Sequence, residues 1–334
     1  MKLDFSSLDA LAAGLTDLPA IDHKAAEAAQ ARQAELTKPP GSLGRLEELA
    51  IFMAGWQGAA RPRIDGAQAL VFAGNHGICA QGVNPFPQEV TAAMVANFNA
   101  GGAAINQLCR VAGAEMLVVA LDLDRPTRDF TQGPAMDEAE ALDALRQGAE
   151  AVDTNASVLI LGEMGIGNST VAAALAHGVL GGKAEDWVGR GTGAVGDVLT
   201  KKRDVVRDGV ARHAGLSPLG LLAALGGREQ AAIAGAVLAA RAARIPVMLD
   251  GFICTASTVP LWAIDPELLG HCLVAHRSAE GGHAKMLEAM GKRPILDLGM
   301  ALGEGSGAAV ALSVLRHALA MHDGMATFSE AGIG

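Results

Sequence analysis

From Gln68 onward, apolar runs of strand length alternate with Ala-rich stretches of helical length, and this alternation limits the chain to few folds. The strand candidates are 69–73, 115–121, 158–161, 247–249 and 272–275. Strands separated by helices pair in parallel through crossovers, so the expected class is α/β, a parallel sheet flanked by helices. Ligands of such sheets bind just beyond the C-terminal strand ends, which directs the search for a site. Residues 1 to about 60 read differently. The stretch 22–36 is rich in Ala, Glu, Gln and Lys and ends at Lys38-Pro39-Pro40-Gly41, a firm helix stop. Ser42 is the expected cap of a next helix from about 43 to 56.

The chain has 334 residues, which implies one large α/β domain with a smaller one attached. Half of the residues are apolar, but no apolar run approaches the roughly 20 residues of a membrane-spanning helix. The first residues, Met1 to Phe5, carry an acid and no long apolar core, so no secretory signal and a cytoplasmic location are expected. The net charge of -10 disfavours nucleic-acid binding. Cys79, Cys109, Cys254 and Cys272 form no CxxC pair, and the nine histidines form no HxH or HExxH pattern. Reduced thiols and no metal site are therefore expected.

Five segments hold candidate chemistry. Gly162 to Thr170 runs from a strand through glycines into Asn168, Ser169, Thr170 and a helix. Converging amides and a helix N-terminus there make an anion cradle, with Gly165, Gly167 and Asn168 as candidates; the plain alternative is a tight turn capped by Asn168 or Ser169. Val188 to Gly193 alternates glycines around Arg190 and Thr192, and Lys202 follows as a point charge for a phosphate; a flexible loop and a solvated lysine are the plain alternative, which the residues alone favour. Gly303-Glu304-Gly305 sets a carboxylate between glycines; it could be an exposed loop acid, but the apolar flanks (Leu298, Met300 and Leu302 before it, Ala308, Ala309 and Val310 after it) argue against simple exposure. A Glu in an apolar pocket has its pKa raised toward that of a useful base. After Gly74-Asn75-His76-Gly77, the residues Phe86, Val90 and Met94 fall at helical spacing and form an apolar wall suited to a flat aromatic ligand, or simply core. Ala275 to His283 is dense in hydrogen-bonding groups: either Ser278 is a phosphate donor or the cluster is a capped helix start with solvated polar residues, and spacing alone does not decide between them. The runs 161–170 and 298–307 look alike, each a Gly turn feeding a helix.

In order along the chain, Lys38-Pro39-Pro40-Gly41-Ser42-Leu43-Gly44-Arg45-Leu46-Glu47, Asn75-His76-Gly77, Gly162-Glu163-Met164-Gly165, Leu249-Asp250-Gly251-Phe252 and Leu302 to Gly307 resemble the nicotinate-nucleotide–dimethylbenzimidazole phosphoribosyltransferases. The resemblance runs from about Leu36 to the end. It implies a Rossmann-like sheet in a large domain, 66–300, which carries the site. A small helical domain, 1–65 plus 301–334, would pack on it. It also implies a homodimer, no metal or redox cofactor, and transfer of 5-phosphoribose from nicotinate mononucleotide to 5,6-dimethylbenzimidazole in cobalamin biosynthesis. Glu304 then matches the catalytic base, and Glu163 a second site carboxylate. Gly165, Lys202 and Ser278 match phosphate-binding positions, with Lys202 preferred to Lys201 for its spacing to Val205 and Val206. Leu302 and the wall of Phe86, Val90 and Met94 match the base pocket. Large apolar residues at 86 and 94, and Asn75 in place of the Asp of some relatives, depart from the pattern. Two other readings use the same cradles: a phosphatase or kinase of a small metabolite needing magnesium or ATP, and a non-catalytic nucleotide sensor.

Overall fold

A computed structural model describes residues 3–191 and 193–333; Thr192 of the glycine loop lies outside the described residues. The helices α1 (Leu8–Gly14), α2 (His23–Glu35) and α3 (Arg45–Gln57) precede β1 (Ala67–Ala73). Then come α4 (Glu89–Asn99), α5 (Ala104–Ala112), β2 (Glu115–Ala120), α6 (Glu138–Glu150), β3 (Val158–Met164), α7 (Asn168–Leu180), α8 (Ala184–Trp187) and α9 (Gly196–Arg212). The last third holds α10 (Pro218–Leu225), α11 (Arg228–Ala242), β4 (Val247–Leu249), α12 (Phe252–Ile264), β5 (Cys272–Val274), α13 (Gly281–Ala289) and α14 (Ser306–Gly324).

The five strands form one parallel sheet in the order β2-β1-β3-β4-β5. The α/β class expected from the alternation is the class found. β3 runs three residues past its expected end, through Gly162 and Glu163 to Met164, because those residues continue the ladder against Val71, Phe72 and Ala73 of β1. Its neighbours β1 and β4 are also buried, and side chains alternate between two cores. Leu70, Phe72, Leu159, Leu161, Val247 and Leu249 face one hydrophobic cluster, which α6, α7, α10, α11 and α12 cover. Val71, Val158, Ile160 and Met248 face the other, which α3, α5 and α14 cover.

From β1 the chain steps outward to β2, then returns to place β3 on the other flank of β1. Connections leaving β1 and β3 in opposite directions open a crevice at their C-terminal ends. The N-terminal helices meet the C-terminal segment at the far end of α14. The Arg32 guanidinium donates to the carbonyls of His322 at 2.8 Å, Asp323 at 3.0 Å and Met325 at 3.1 Å, which closes the C-terminal end of α14. Leu36 and Thr327 form an antiparallel bridge.

Ser42 does not cap α3. Gly44, at φ 53°, occupies the cap position, and no side chain bonds the helix amides there. Glu47 displaces the local rule: its Oε1 accepts the Leu43 N–H at 2.9 Å and meets Lys38 Nζ at 2.9 Å in a mostly buried ion pair.

Candidate active site

A cleft opens where β3, β4 and β5 end, with an empty volume of about 670 Å³, part of it open to solvent. Its floor is the turn after β3 (Glu163 to Ser169), the turn after β4 (Asp250 to Ile253) and the loop after β5 (His276, Ser278, Glu280); the segment Ala301 to Glu304 lies over them.

The loop over β3 is set by backbone. Gly303, Glu304 and Gly305 all take left-handed φ values, 87°, 65° and 88°. For a glutamate that conformation costs about 1–3 kcal/mol, and residues so strained cluster at functional sites. The loop nests on the strand because position 162 lacks a side chain: a β-carbon there would come within 2.5 Å of the Gly305 nitrogen and collide with the Glu304 carbonyl oxygen. Gly303 in turn makes room for Glu163, whose Oε1 would lie 2.5 Å from a β-carbon at 303. The two look-alike turns of the sequence therefore pack against each other. Each ends in a left-handed glycine, Gly167 or Gly305, that starts a helix.

Three carboxylates converge. Glu304 is 6% exposed, its Oε2 has no hydrogen-bond partner among the described residues, and burial pushes its carboxyl up. Burial, with Asp250 and Glu229 nearby, pushes Glu163 up to about 8, although Asn168 donates to its Oε2. Burial raises Asp250 to about 7 against the pull of amides from Ala308, Gly305 and Gly307. Such an array favours protonated or proton-accepting carboxyls near neutral pH. Beneath it, His76 Nε2 and Glu229 Oε1 form a fully buried pair at 3.1 Å.

The cationic side lies across the cleft. Burial lowers Lys202 to about 8, and its Nζ donates to Ser169 Oγ at 2.9 Å and the Gly189 carbonyl at 3.1 Å. It stands behind Ser169, whereas Lys201 is exposed. Ser278 lines the cleft on a loop held by His283. The Ser278 N–H donates to His283 Nδ1 at 2.9 Å, so the neutral ring carries its proton on Nε2, 3.2 Å from Thr255 Oγ1. Burial keeps that imidazole neutral, its pKa lowered to about 3. Thr255 donates onward to the Gly251 carbonyl at 2.8 Å, tying the β4 and β5 turns together.

Glu163, Gly165, Asn168, Ser278, Leu302 and Glu304 thus line one cleft, with Lys202 one side chain behind it. Asn168 bonds Glu163 rather than capping α7; Gly167 holds the cap position, and a β-carbon there would press on Cys79 Sγ at 2.7 Å, away from the cleft. Of the apolar flanks, Leu298 is 61% and Leu302 58% exposed, whereas Ala308 and Ala309 are buried, and the carboxylate lies against the Ile105 backbone amide at the start of α5.

The wall of Phe86, Val90 and Met94 is not one helix face. α4 starts at Glu89, and Phe86, 47% exposed, stands before it. The residue preceding a proline is driven out of the helical region, and Phe86 precedes Pro87. None of the three lines the empty cleft. Their segment does border it: Thr91 Oγ1 accepts the Ile166 N–H at 3.1 Å, and Asn84 Oδ1 lies 3.7 Å from where a Gly167 β-carbon would be.

Asp250, His276 and Glu280 are cleft residues to which the sequence reading gave no role. Glu280 Oε1 accepts the Gly191 N–H at 2.7 Å and so pins the glycine loop to the β5 side. An acid directly after a wholly apolar strand, as Asp250 is after β4, was the available signal. Among the described residues no group of three or more His, Cys, Asp or Glu could hold a metal ion, and no helix is long and apolar enough to cross a membrane.

The profile of a family described as phosphoribosyltransferase matches residues 18–333. The nicotinate-nucleotide–dimethylbenzimidazole phosphoribosyltransferase of Rhodobacter capsulatus is 62% identical over 316 residues, 95% of each chain. The enzyme of the same name from Cereibacter sphaeroides (strain ATCC 17023) is 56% identical over 335 residues, covering 100% of this chain and 99% of the relative. Among solved structures, CobT from Thermus thermophilus superposes with a TM-score of 0.88 at 42% identity, over 93% of this chain and 99% of its own.

Proposed function

Because the chain belongs to this phosphoribosyltransferase family, we propose that it transfers 5-phosphoribose from nicotinate mononucleotide to 5,6-dimethylbenzimidazole. The products are α-ribazole 5′-phosphate and nicotinate, a step of cobalamin biosynthesis. One observation carries the assignment of roles: Glu304, strained and buried on the end of β3, stands beside Glu163 and opposite Lys202 and Ser278 in a single cleft.

Glu304 is the general base. One benzimidazole nitrogen attacks the anomeric carbon as the N–H proton of the other passes to the Glu304 carboxylate. The bond to the nicotinate nitrogen breaks with its electron pair leaving on the pyridine ring. Attack from the face opposite nicotinate inverts a β-linkage to α. The sugar passes through an oxocarbenium-like state, by analogy with glycoside chemistry. Holding two flat rings on opposite faces of one carbon supplies much of the rate. Glu163, high in pKa and bonded to Asn168, orients the ribose.

The amides of the Gly165–Asn168 turn, Ser278 and Lys202 take the phosphate; the buried ammonium regains its ordinary basicity as the dianion arrives. Leu302, more than half exposed over the cleft, gives the base an apolar contact. Phe86, with Val90 and Met94 behind it, closes over the base from the segment that borders the Gly165–Gly167 turn. Residues 1–65 and 301–334 form the smaller helical part, a reading that the bonds of Arg32 to the end of α14 support. The enzyme works as a cytoplasmic homodimer.

The test is direct. Purified protein incubated with nicotinate mononucleotide and dimethylbenzimidazole should yield α-ribazole 5′-phosphate and nicotinate in equal amounts by mass spectrometry, with EDTA making no difference. An intact nucleotide and no new product would overturn the proposal.

A further inference from the structure

Asp250 is a buried carboxylate that the chemistry above leaves without a role. It follows β4 directly and is 1% exposed. Its two oxygens reach two different amides of the turn that carries Glu304. Oδ2 accepts the Gly305 N–H at 3.2 Å, and Oδ1 accepts the Ala308 N–H at 2.9 Å. His276 Nε2 lies 3.5 Å from Oδ1. That ring is wedged in place: a β-carbon at Gly251 would come 2.8 Å from Nε2, and one at Gly307 would collide with the ring itself. Asp250 is thereby fixed from one side by an imidazole and grips the loop from the other.

The grip matters because Glu304 sits in a conformation that a glutamate avoids, and such a conformation persists only when its surroundings over-determine it. Gly162 provides the seat for the loop but no attraction. The Ile105 backbone amide holds the carboxylate end of Glu304, and the hydrogen bond from the amide immediately after it to Asp250 restrains its main chain. Other carboxylates face the same space, Glu163 from β3 and Glu304 itself, so Asp250 is held there against like charge. The geometry points to Asp250 as the positioning residue of the active site, fixing Glu304 at the strand end through the amides of Gly305 and Ala308. This inference rests on the transfer reaction proposed above and deepens it. Asp250 touches no reacting atom; it acts through the backbone of the base.

Asp250→Asn separates this from a mere packing role. A carboxamide keeps the size but offers one acceptor oxygen, so one of the two amides faces an NH₂ group. With Glu304 loosened and the phosphate cradle intact, kcat should fall about 100-fold, with the KM for nicotinate mononucleotide within about twofold of wild type. A folded variant with wild-type kcat, or one in which only KM changes, overturns the assignment. If the variant does not fold, the wild-type protein decides the matter. Its Gly305 and Ala308 amide protons, followed by NMR without ligand, should shift along one common curve as pH falls from about 8 to 5, because both lose the same charge-assisted acceptor while Glu163 and Glu304 perturb the two alike. Independent titration, or none, overturns it. A wild-type enzyme that turns over no nucleotide would instead remove the transferase reading, and the amide titration would still report on the tether.

Discussion

Gly162 of β3 and Glu304 meet at the level of the main chain: a single methyl group on the glycine would occupy the carbonyl oxygen of the glutamate. Gly162→Ala should therefore move the Glu304 loop off the strand end. We expect a loss of about 2–4 kcal/mol of stability from overpacking at a backbone contact and a drop in kcat, read from thermal unfolding and steady-state kinetics. Near-wild-type values of both would show that the loop can nest elsewhere.

Glu304→Gln retains the shape of the side chain and removes its basicity. The kcat should drop by roughly 10²–10⁴, the usual contribution of a positioned general base, while the KM for the nucleotide changes little. In the wild type, burial raises this carboxyl, so the acid limb of the rate profile should lie above the ordinary glutamate range, with activity rising as pH rises through it. The variant should lose that limb.

Lys202→Met tests the phosphate site. Burial has lowered this ammonium to about 8, so methionine should cost little stability in the empty protein. The KM for nicotinate mononucleotide should rise at least about tenfold, the loss of one charge-assisted contact. In the wild type the same KM should climb above pH 8 as the lysine discharges. Isothermal titration with the nucleotide reads both effects.

Phe86→Ala should raise the KM for dimethylbenzimidazole and leave that for the nucleotide unchanged. Loss of one aromatic face over a ligand is worth about 1 kcal/mol, or roughly fivefold. A change confined to the nucleotide would assign Phe86 to the wrong substrate.

Stability should fall as pH rises through neutrality. Glu163 and Asp250 have folded pKa values near 8 and 7, above their ordinary values, so the native state holds protons that the unfolded chain has released. Their stabilisation is complete at low pH and lost as pH climbs through 7 and 8. His271 and His283, both lowered to about 3, act oppositely but only below about pH 6.5, where an unfolded histidine gains its proton. Between about pH 6.5 and 8.5 the carboxyls dominate, and Glu163 alone should account for about 2 kcal/mol. Thermal melts should show Tm decreasing over that window. The slope should flatten in Glu163→Gln, which should be the more stable protein at the alkaline end.

The sheet was legible because its strands are short, apolar and separated by helices, and burial of β1, β3, β4 and β5 on both faces leaves little polar alternation to confuse the reading. What eluded the sequence turned on partners far away along the chain. Ser42 is a good local cap, yet Glu47 answers Lys38 and the Leu43 amide and takes over that end of α3. Helical spacing linked Phe86 to Val90 and Met94, although Pro87 keeps Phe86 out of the helix. Glu304 was found for its glycine neighbours, but of the apolar residues credited with burying it Leu298 and Leu302 are themselves exposed while Ala308 and Ala309 are buried. The seat of its main chain is Gly162, far earlier in the chain, which no local pattern can announce.

The consequence of that nested turn reaches beyond one rate constant. The carboxylate at 304 is located by glycines, by strand ends and by a residue held in a backbone shape it would not choose, so neighbouring rotamers have little influence on where it stands. The segment around Phe86 is the opposite: solvent-facing, preceding its helix, and free to accept other side chains. Substrate range and bond-making chemistry are thereby written on separate pieces of polypeptide, and the first can drift over generations while the second stays put.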